Sequence, residues 1–169
     1  MRIKYEKMHG TKNTMTMINN FDQEYSLTSE QIRAICKKLE TDGLILMEQS
    51  EKADCYMSYY NRDASSGEMC GNGIRCLAKF YQKEVEKKDE IKIDSQVGIK
   101  TITSRLGLYT VNMGKPDYQG EVEIFSLKMH KVSMGNPHAV HFPNDLDSID
   151  LADLGPDVET HKEFPNKTN

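Results

Sequence analysis

At 169 residues, 37% hydrophobic and 28% charged, the chain can fill one sizeable core or two small ones and still stay in solution. A net charge of −4, with lysines scattered among glutamates, leaves no basic face for phosphates or anionic lipid, which argues against nucleic acid and membrane surface as partners. The N-terminal MRIKYEKMHG lacks an apolar signal region and no segment approaches 18 apolar residues, so a cytoplasmic protein is expected. Without a secretion signal, Cys36, Cys55, Cys70 and Cys76 are expected to be reduced thiols. They show no C-x-x-C spacing and no pairing with the five histidines, so no metal site is expected.

In chain order, Lys4 to Met8 and Thr14 to Asn20 read as short strands joined by the polar turn HGTKN. A helix follows, with Thr28 and Gln31 spaced for a capping box and Ile32, Ile35, Cys36 and Leu39 on one face. GLILME and DCYMSYYN are predicted strands, the second ending at Asn61 where NRDASSG supplies turn formers. Cys36 and Cys55 are most simply core residues. Apolar positions Ile74, Leu77, Ala78 and Tyr81 predict a helix to about Lys83, with Gly71-Asn72-Gly73 at or just before its start. EIKIDS, GIKTITS and LGLYTVNM alternate like antiparallel strands. GKPDYQG, residues 114–120, is the best domain boundary, giving predicted domains 1–115 and 116–169. In the second, EVEIFSLKMHKVSM and HAVHF read as strands flanking the turn GNP, and LADLGPDVETH as a short helix interrupted or begun near Pro156. This region holds roughly 50 residues, near the lower limit for folding alone, and is expected to be incomplete.

The segment SSGEMCGNGIRC carries the chemistry. A helix N-terminus offers unpaired N–H groups and a partial positive charge, and glycines let an anion approach them. A thiol in the same field is favoured as thiolate. Cys70 could then be an acyl-transfer nucleophile with His9 or His138 as base, a redox thiol with Cys76, or a base that removes the α-proton of an amino acid. The last would want a site for carboxylate and ammonium, and Asn13, Asn61, Asn72 and Asn136 supply suitable polar lining. Gly-Asn-Gly is also common in turns, where a preceding cysteine can be inert, and GNPH can be simply a tight turn.

NRDASSGEMCGNGIRC resembles the first active-site segment of the diaminopimelate epimerase family, and VSMGNPHAVHF its second hallmark. KMHGTKN is similar to the family's His-Gly-x-Gly-Asn turn, and EFPNKTN to a fourth segment; the four occur in the family's order along the whole chain. The resemblance implies an α/β fold of the α+β type, with two similar domains, each bringing a cysteine to a helix N-terminus at a shared cleft. It implies a cofactor-independent isomerase that interconverts LL- and meso-diaminopimelate for lysine and cell-wall synthesis. One thiolate takes the α-proton and a second thiol returns it to the opposite face, because a single base tends to restore the original configuration.

Carried over by motif, Cys70 is the acid/base; Gly71 and Asn72 join the carboxylate cradle; Asn13, Asn61, Asn136 and Asn169 contact the substrate. His138 receives no chemical step, and Cys76 is read as helix packing. The partner is a small molecule, and the full-length protein is expected to be a homodimer. The chain departs from the family at Lys12, Thr14 and Met15, and in reaching Asp42-Gly43 directly from LET. It ends before the family's Glu-Arg pair and second cysteine motif, so it is expected to be incomplete and inactive alone. Another amino-acid racemase of the superfamily and a non-catalytic amino-acid-binding chain remain the alternatives.

Overall fold

A computed structural model describes residues 3–169, in two compact units that divide between Met113 and Gly114. In the first, seven strands pair in sequence order: β1 Glu6–Gly10, β2 Asn13–Asn19, β3 Gly43–Glu48, β4 Cys55–Asn61, β5 Glu90–Asp94, β6 Lys100–Arg105 and β7 Leu108–Val111. The sheet is mixed: β2–β3 and β4–β5 are parallel and the remaining pairs antiparallel. The two parallel steps each need a crossover, supplied by α1 (Ser29–Leu39) and α2 (Gly71–Glu84).

The strands of the sheet centre read as continuous apolar runs because both faces are covered. Leu44 and Leu46 of β3 join Ile18 beneath Ile32 and Cys36 of α1, while Ile45 and Met47 join Met15 and Met17 on the side of α2. The capping box on α1 forms in full, Gln31 N–H donating to Thr28 Oγ1 and Thr28 N–H to Gln31 Oε1. α2 touches β1 to β5 and β7, so the sheet curls around it. Its buried Ile74, Leu77, Phe80 and Tyr81 each contribute roughly 2 kcal/mol by leaving water. Cys76 and the fully buried Cys55 pack in the same core, and Cys36 is fully buried in the core beneath α1.

Three local expectations are revised and one is borne out more narrowly. The β1–β2 hairpin turns on only two residues, Thr11 and Lys12, both left-handed (φ 54° and 67°), so its strands run to Gly10 and from Asn13. Gly71-Asn72-Gly73 stands at the start of α2, as expected, and forms its first three residues, with Cys70 performing the capping. EVEIFSLKMHKVSM is a hairpin and not one strand: β8 (Asp117–Ile124) and β9 (Leu127–Ser133) reverse at Phe125 and Ser126, again both left-handed. Finally, α3 (Leu151–Glu159) runs through Pro156, which forgoes only the bond back to exposed Ala152, while Asp150 caps the start.

In the second unit β8, β9 and β10 (Pro137–His141) form an antiparallel sheet in the order β10-β9-β8, and α3 closes a small core of Ile124, Met129, Val158 and Phe164. Among the described residues no helix is long and apolar enough to cross a membrane.

Candidate active site

Strand direction gathers the site. β2 and β3 run parallel from Asn13 and Gly43, and β4 runs the other way and ends at Asn61, directly opposite Gly43. Two strand beginnings and one strand end therefore share an edge of the sheet. The two-residue period then places Asn13 with Met15 and Met17, Gly43 with Ile45 and Met47, and Asn61 with Tyr59, Met57 and Cys55. That is the face α2 covers, and the N-cap of α2, Cys70, arrives at the same edge.

Cys70 has extended backbone (φ −135°, ψ 105°), and its Sγ accepts from Gly73 N–H at 3.2 Å, the bond that a serine or aspartate oxygen makes at most helix starts. Asn13 Nδ2 is a second donor to the sulfur, at 3.7 Å. The thiol is half-buried, whereas the other three cysteines are buried. Gly73 leaves no room for a side chain, since a Cβ there would lie 2.8 Å from Ile45 Cδ1 and 3.3 Å from Cys70 Sγ. At Gly71 a Cβ would meet only Met113, at 3.9 Å, so packing does not require that glycine and its open side suits a ligand. Gly73 and Ile74 spend their N–H groups on Sγ and on the Cys70 carbonyl. The amides of Gly71 and Asn72 are thus the pair the helix itself does not use, at its positive end.

The Asn72 side chain is engaged elsewhere: its Oδ1 accepts from Arg75 Nη2 and from Thr11 Oγ1, the latter at 3.2 Å, which fastens the β1–β2 turn to α2. Asp42 fastens the same turn from below, its carboxylate accepting from Thr14 N–H at 2.8 Å and Thr14 Oγ1 at 2.7 Å. These bonds hold its carboxyl below the usual range. The residues where the chain departs from the family turn thus have structural roles of their own.

Sequence reasoning missed Tyr59. Its hydroxyl donates to Asn61 Oδ1 at 2.7 Å and lies beside the Cys70 thiol. Burial, and then the neighbouring Cys70, push the phenol well above its ordinary value, so it stays protonated. Two glycines make room for the ring: a Cβ on Gly67 would sit 2.3 Å from Tyr59 Cδ1 and Cε1, and one on Gly43 2.8 Å from Cε2. The available signal was the alternation from Asn61 back to Tyr59.

The expected residues divide between the units. Asn13, Asn61, Cys70, Gly71 and Asn72 meet at the edge just described. Asn136 and Asn169 lie in the second unit, at the start of β10: Asn169 N–H and Nδ2 donate to the Pro137 carbonyl at 3.0 Å each, and its carbonyl accepts from Ala139 N–H. His138 Nδ1 pairs with the Asn136 carbonyl at 3.0 Å. His9 is exposed on β1. Within the first unit the donors to Cys70 Sγ are an amide N–H and an asparagine, not an imidazole, and Cys76 is buried in the α2 core, which leaves the redox reading without a partner there.

Among solved structures, a PhzF-family phenazine biosynthesis protein from Bacillus anthracis matches with a TM-score of 0.61 at 17% identity, over 86% of this chain and 56% of that one. A hydroxyproline epimerase from Agrobacterium vitis matches with a TM-score of 0.59 at 11% identity, over 95% and 56%. The fold is therefore the α+β architecture shared by PhzF-type proteins and amino-acid epimerases. The family model for diaminopimelate epimerase matches residues 5–119. A diaminopimelate epimerase from Bacteroides thetaiotaomicron is 37% identical over 99% of this chain and 67% of its own length. The chain belongs to the diaminopimelate epimerase family, a family of isomerases.

Proposed function

We propose that the chain supplies one half of a cofactor-independent, two-base epimerisation of LL- and meso-diaminopimelate, with Cys70 as one acid/base. The carrying observation is the junction of a half-buried thiol with two unused amides at one helix N-terminus. In this reading the amides of Gly71 and Asn72 bind the α-carboxylate, which fixes the α-carbon beside Sγ. The Cys70 thiolate takes the α-proton, and the carbanion's charge spreads into the carboxylate, where the amides and the helix dipole oppose it. Asn13 orients the sulfur. Asn61, Asn136 and Asn169 contribute substrate contacts as the family motifs imply.

Inversion requires a second acid on the opposite face. Cys36, Cys55 and Cys76 are buried in cores, so the second thiol has to be a different one. The same reading has the protein working as a homodimer in the cytoplasm, where exposed thiols stay reduced.

The test is exchange and not inversion. In D2O the chain is expected to wash deuterium into the α-position of one diaminopimelate stereoisomer, read by mass spectrometry. Cys70→Ser is expected to lose that exchange, and a variant that exchanges as fast as the parent removes Cys70 from the chemistry.

A further inference from the structure

We propose that Thr11 is a positioning residue for Cys70: its hydroxyl, held between Asn72 Oδ1 and Arg75 Nη2, ties the β1–β2 turn to the first turn of α2 and so keeps the Asn13 amide on the sulfur. The proposal rests on the reading of Cys70 as the base.

Three observations lead to it. The first is the set of bonds. Thr11 Oγ1 donates to Asn72 Oδ1 at 3.2 Å and accepts from Arg75 Nη2 at 3.4 Å, and Arg75 Nη2 also donates to Asn72 Oδ1. One hydroxyl thus meets two helix side chains, using its proton for one and a lone pair for the other. Among the described residues no carboxylate forms an ion pair with Arg75, and its guanidinium serves these two neutral oxygens.

The second is where the tie acts. The turn has two residues, Thr11 and Lys12, so Asn13 opens the returning strand, paired with Gly10. A Cβ on Gly10 would lie 3.0 Å from the Asn72 carbonyl oxygen and 3.2 Å from Asn72 Cβ, so the hairpin rests directly on that residue. On the far side of Asn13, Thr14 is bonded to Asp42 through its amide, its hydroxyl and its carbonyl. Asn13 is held between these two anchors, and its Nδ2 donates to Cys70 Sγ at 3.7 Å. A contact that long tolerates little further movement of the turn.

The third is the backbone. Thr11 has a φ of 54°, a left-handed conformation that its β-branched side chain disfavours. The turn by itself would favour glycine or asparagine there. The threonine keeps a hydroxyl at a conformational cost, which the bonds to Asn72 and Arg75 offset.

The reporter is alkylation of Cys70 by iodoacetamide, followed from pH 5 to pH 10 with the labelled site located by peptide mass. Asn13→Ala removes the amide donor. Its profile is expected to move up by roughly one pH unit and its rate at pH 7 to fall about threefold, because about tenfold less thiolate is offset in part by greater nucleophilicity. Thr11→Ala is expected to move the profile the same way, and Thr11→Ser, which keeps the hydroxyl, to follow the parent. In an Asn13→Ala background Thr11→Ala is expected to add nothing, since the hydroxyl acts on the sulfur through that amide. Thr11 is exposed, and its replacement leaves the core intact. The ionisable groups on the surrounding elements are His9 and Lys12 on the hairpin, Asp42 before β3, Tyr59 on β4, Glu68 ahead of α2, and Arg75 and Cys76 on α2; all are unchanged in every variant. A profile that stays with the parent in Asn13→Ala or Thr11→Ala, a Thr11→Ser profile that moves with Thr11→Ala, or a Thr11→Ala shift that persists in the Asn13→Ala background overturns the proposal.

Failure of the base assignment is distinguishable, because alkylation reads the thiol and not the epimerisation. If Cys70→Ser keeps α-hydrogen exchange while Thr11→Ala shifts the profile, the positioning holds and the assignment falls. If Cys70→Ser abolishes exchange and Thr11→Ala changes nothing, the assignment holds and the positioning falls.

Discussion

Gly67→Ala is the sharpest test of how the site is held. An added methyl would lie 2.3 Å from Tyr59 Cδ1 and Cε1, about 1.2 Å inside the ~3.5 Å of ordinary carbon contact. The loop cannot retreat, because Gly67 N–H donates to the Tyr59 carbonyl at 3.0 Å and Ser66 bridges Tyr60. The ring cannot retreat either, with Gly43 against its other edge. Gly67 has no left-handed backbone, so the cost is steric alone. Overpacking of this kind costs about 2 kcal/mol, and for a unit of this size the melting temperature should fall by roughly 5–10 °C. Thermal melts followed by circular dichroism read the effect. In a Tyr59→Ala background, where the obstructing ring is gone, the cost of Gly67→Ala should shrink below about 0.5 kcal/mol. A Gly67→Ala protein that melts with the parent, or a penalty that persists without the ring, refutes the clamp.

Other consequences follow from single interactions. Lys12 holds a left-handed conformation (φ 67°) on an exposed hairpin turn, so Lys12→Gly should raise stability by about 0.5–1 kcal/mol in urea titration; a lower midpoint would contradict the turn. Asp42 has a folded-state value below its unfolded one, so its contribution is present above the unfolded value and is lost as pH falls through the folded one. Urea midpoints measured between pH 5 and 3 should therefore fall less steeply in Asp42→Asn than in the parent. Burial pushes the Cys55 thiol up to about 12, and Cys36 and Cys76 are raised by the same cause. Ellman's reagent should find one fast thiol in the native chain and four in urea, and Cys70→Ser should remove the fast one. Thr28→Ala removes half of the α1 capping box and should cost about 1 kcal/mol in the same titration.

The elements whose signals are local could be read along the chain. The Thr28–Gln31 box, the apolar stripe of α2, and the end of β4 at Asn61 depend on residues within a turn or two of one another. Family membership was legible for the same reason, since its motifs are contiguous. Pro156 and the Phe125-Ser126 turn misled because their cost is small and is offset elsewhere: an aspartate cap at the start of α3, and strand pairing on both sides of the hairpin. Neither compensation is visible in a window of a few residues.

The sequence alone determined that Cys70, Gly71 and Asn72 would stand at a helix start, because capping and periodicity are properties of neighbouring residues. Tertiary structure decided what surrounds the thiol. Asn13, Gly43, Asn61 and Gly67 come from four segments, and they converge only because parallel and antiparallel pairing bring two strand beginnings and one strand end to the same edge. Where the Tyr59 ring sits depends on the space two distant glycines leave, and close packing is a constraint that acts between segments.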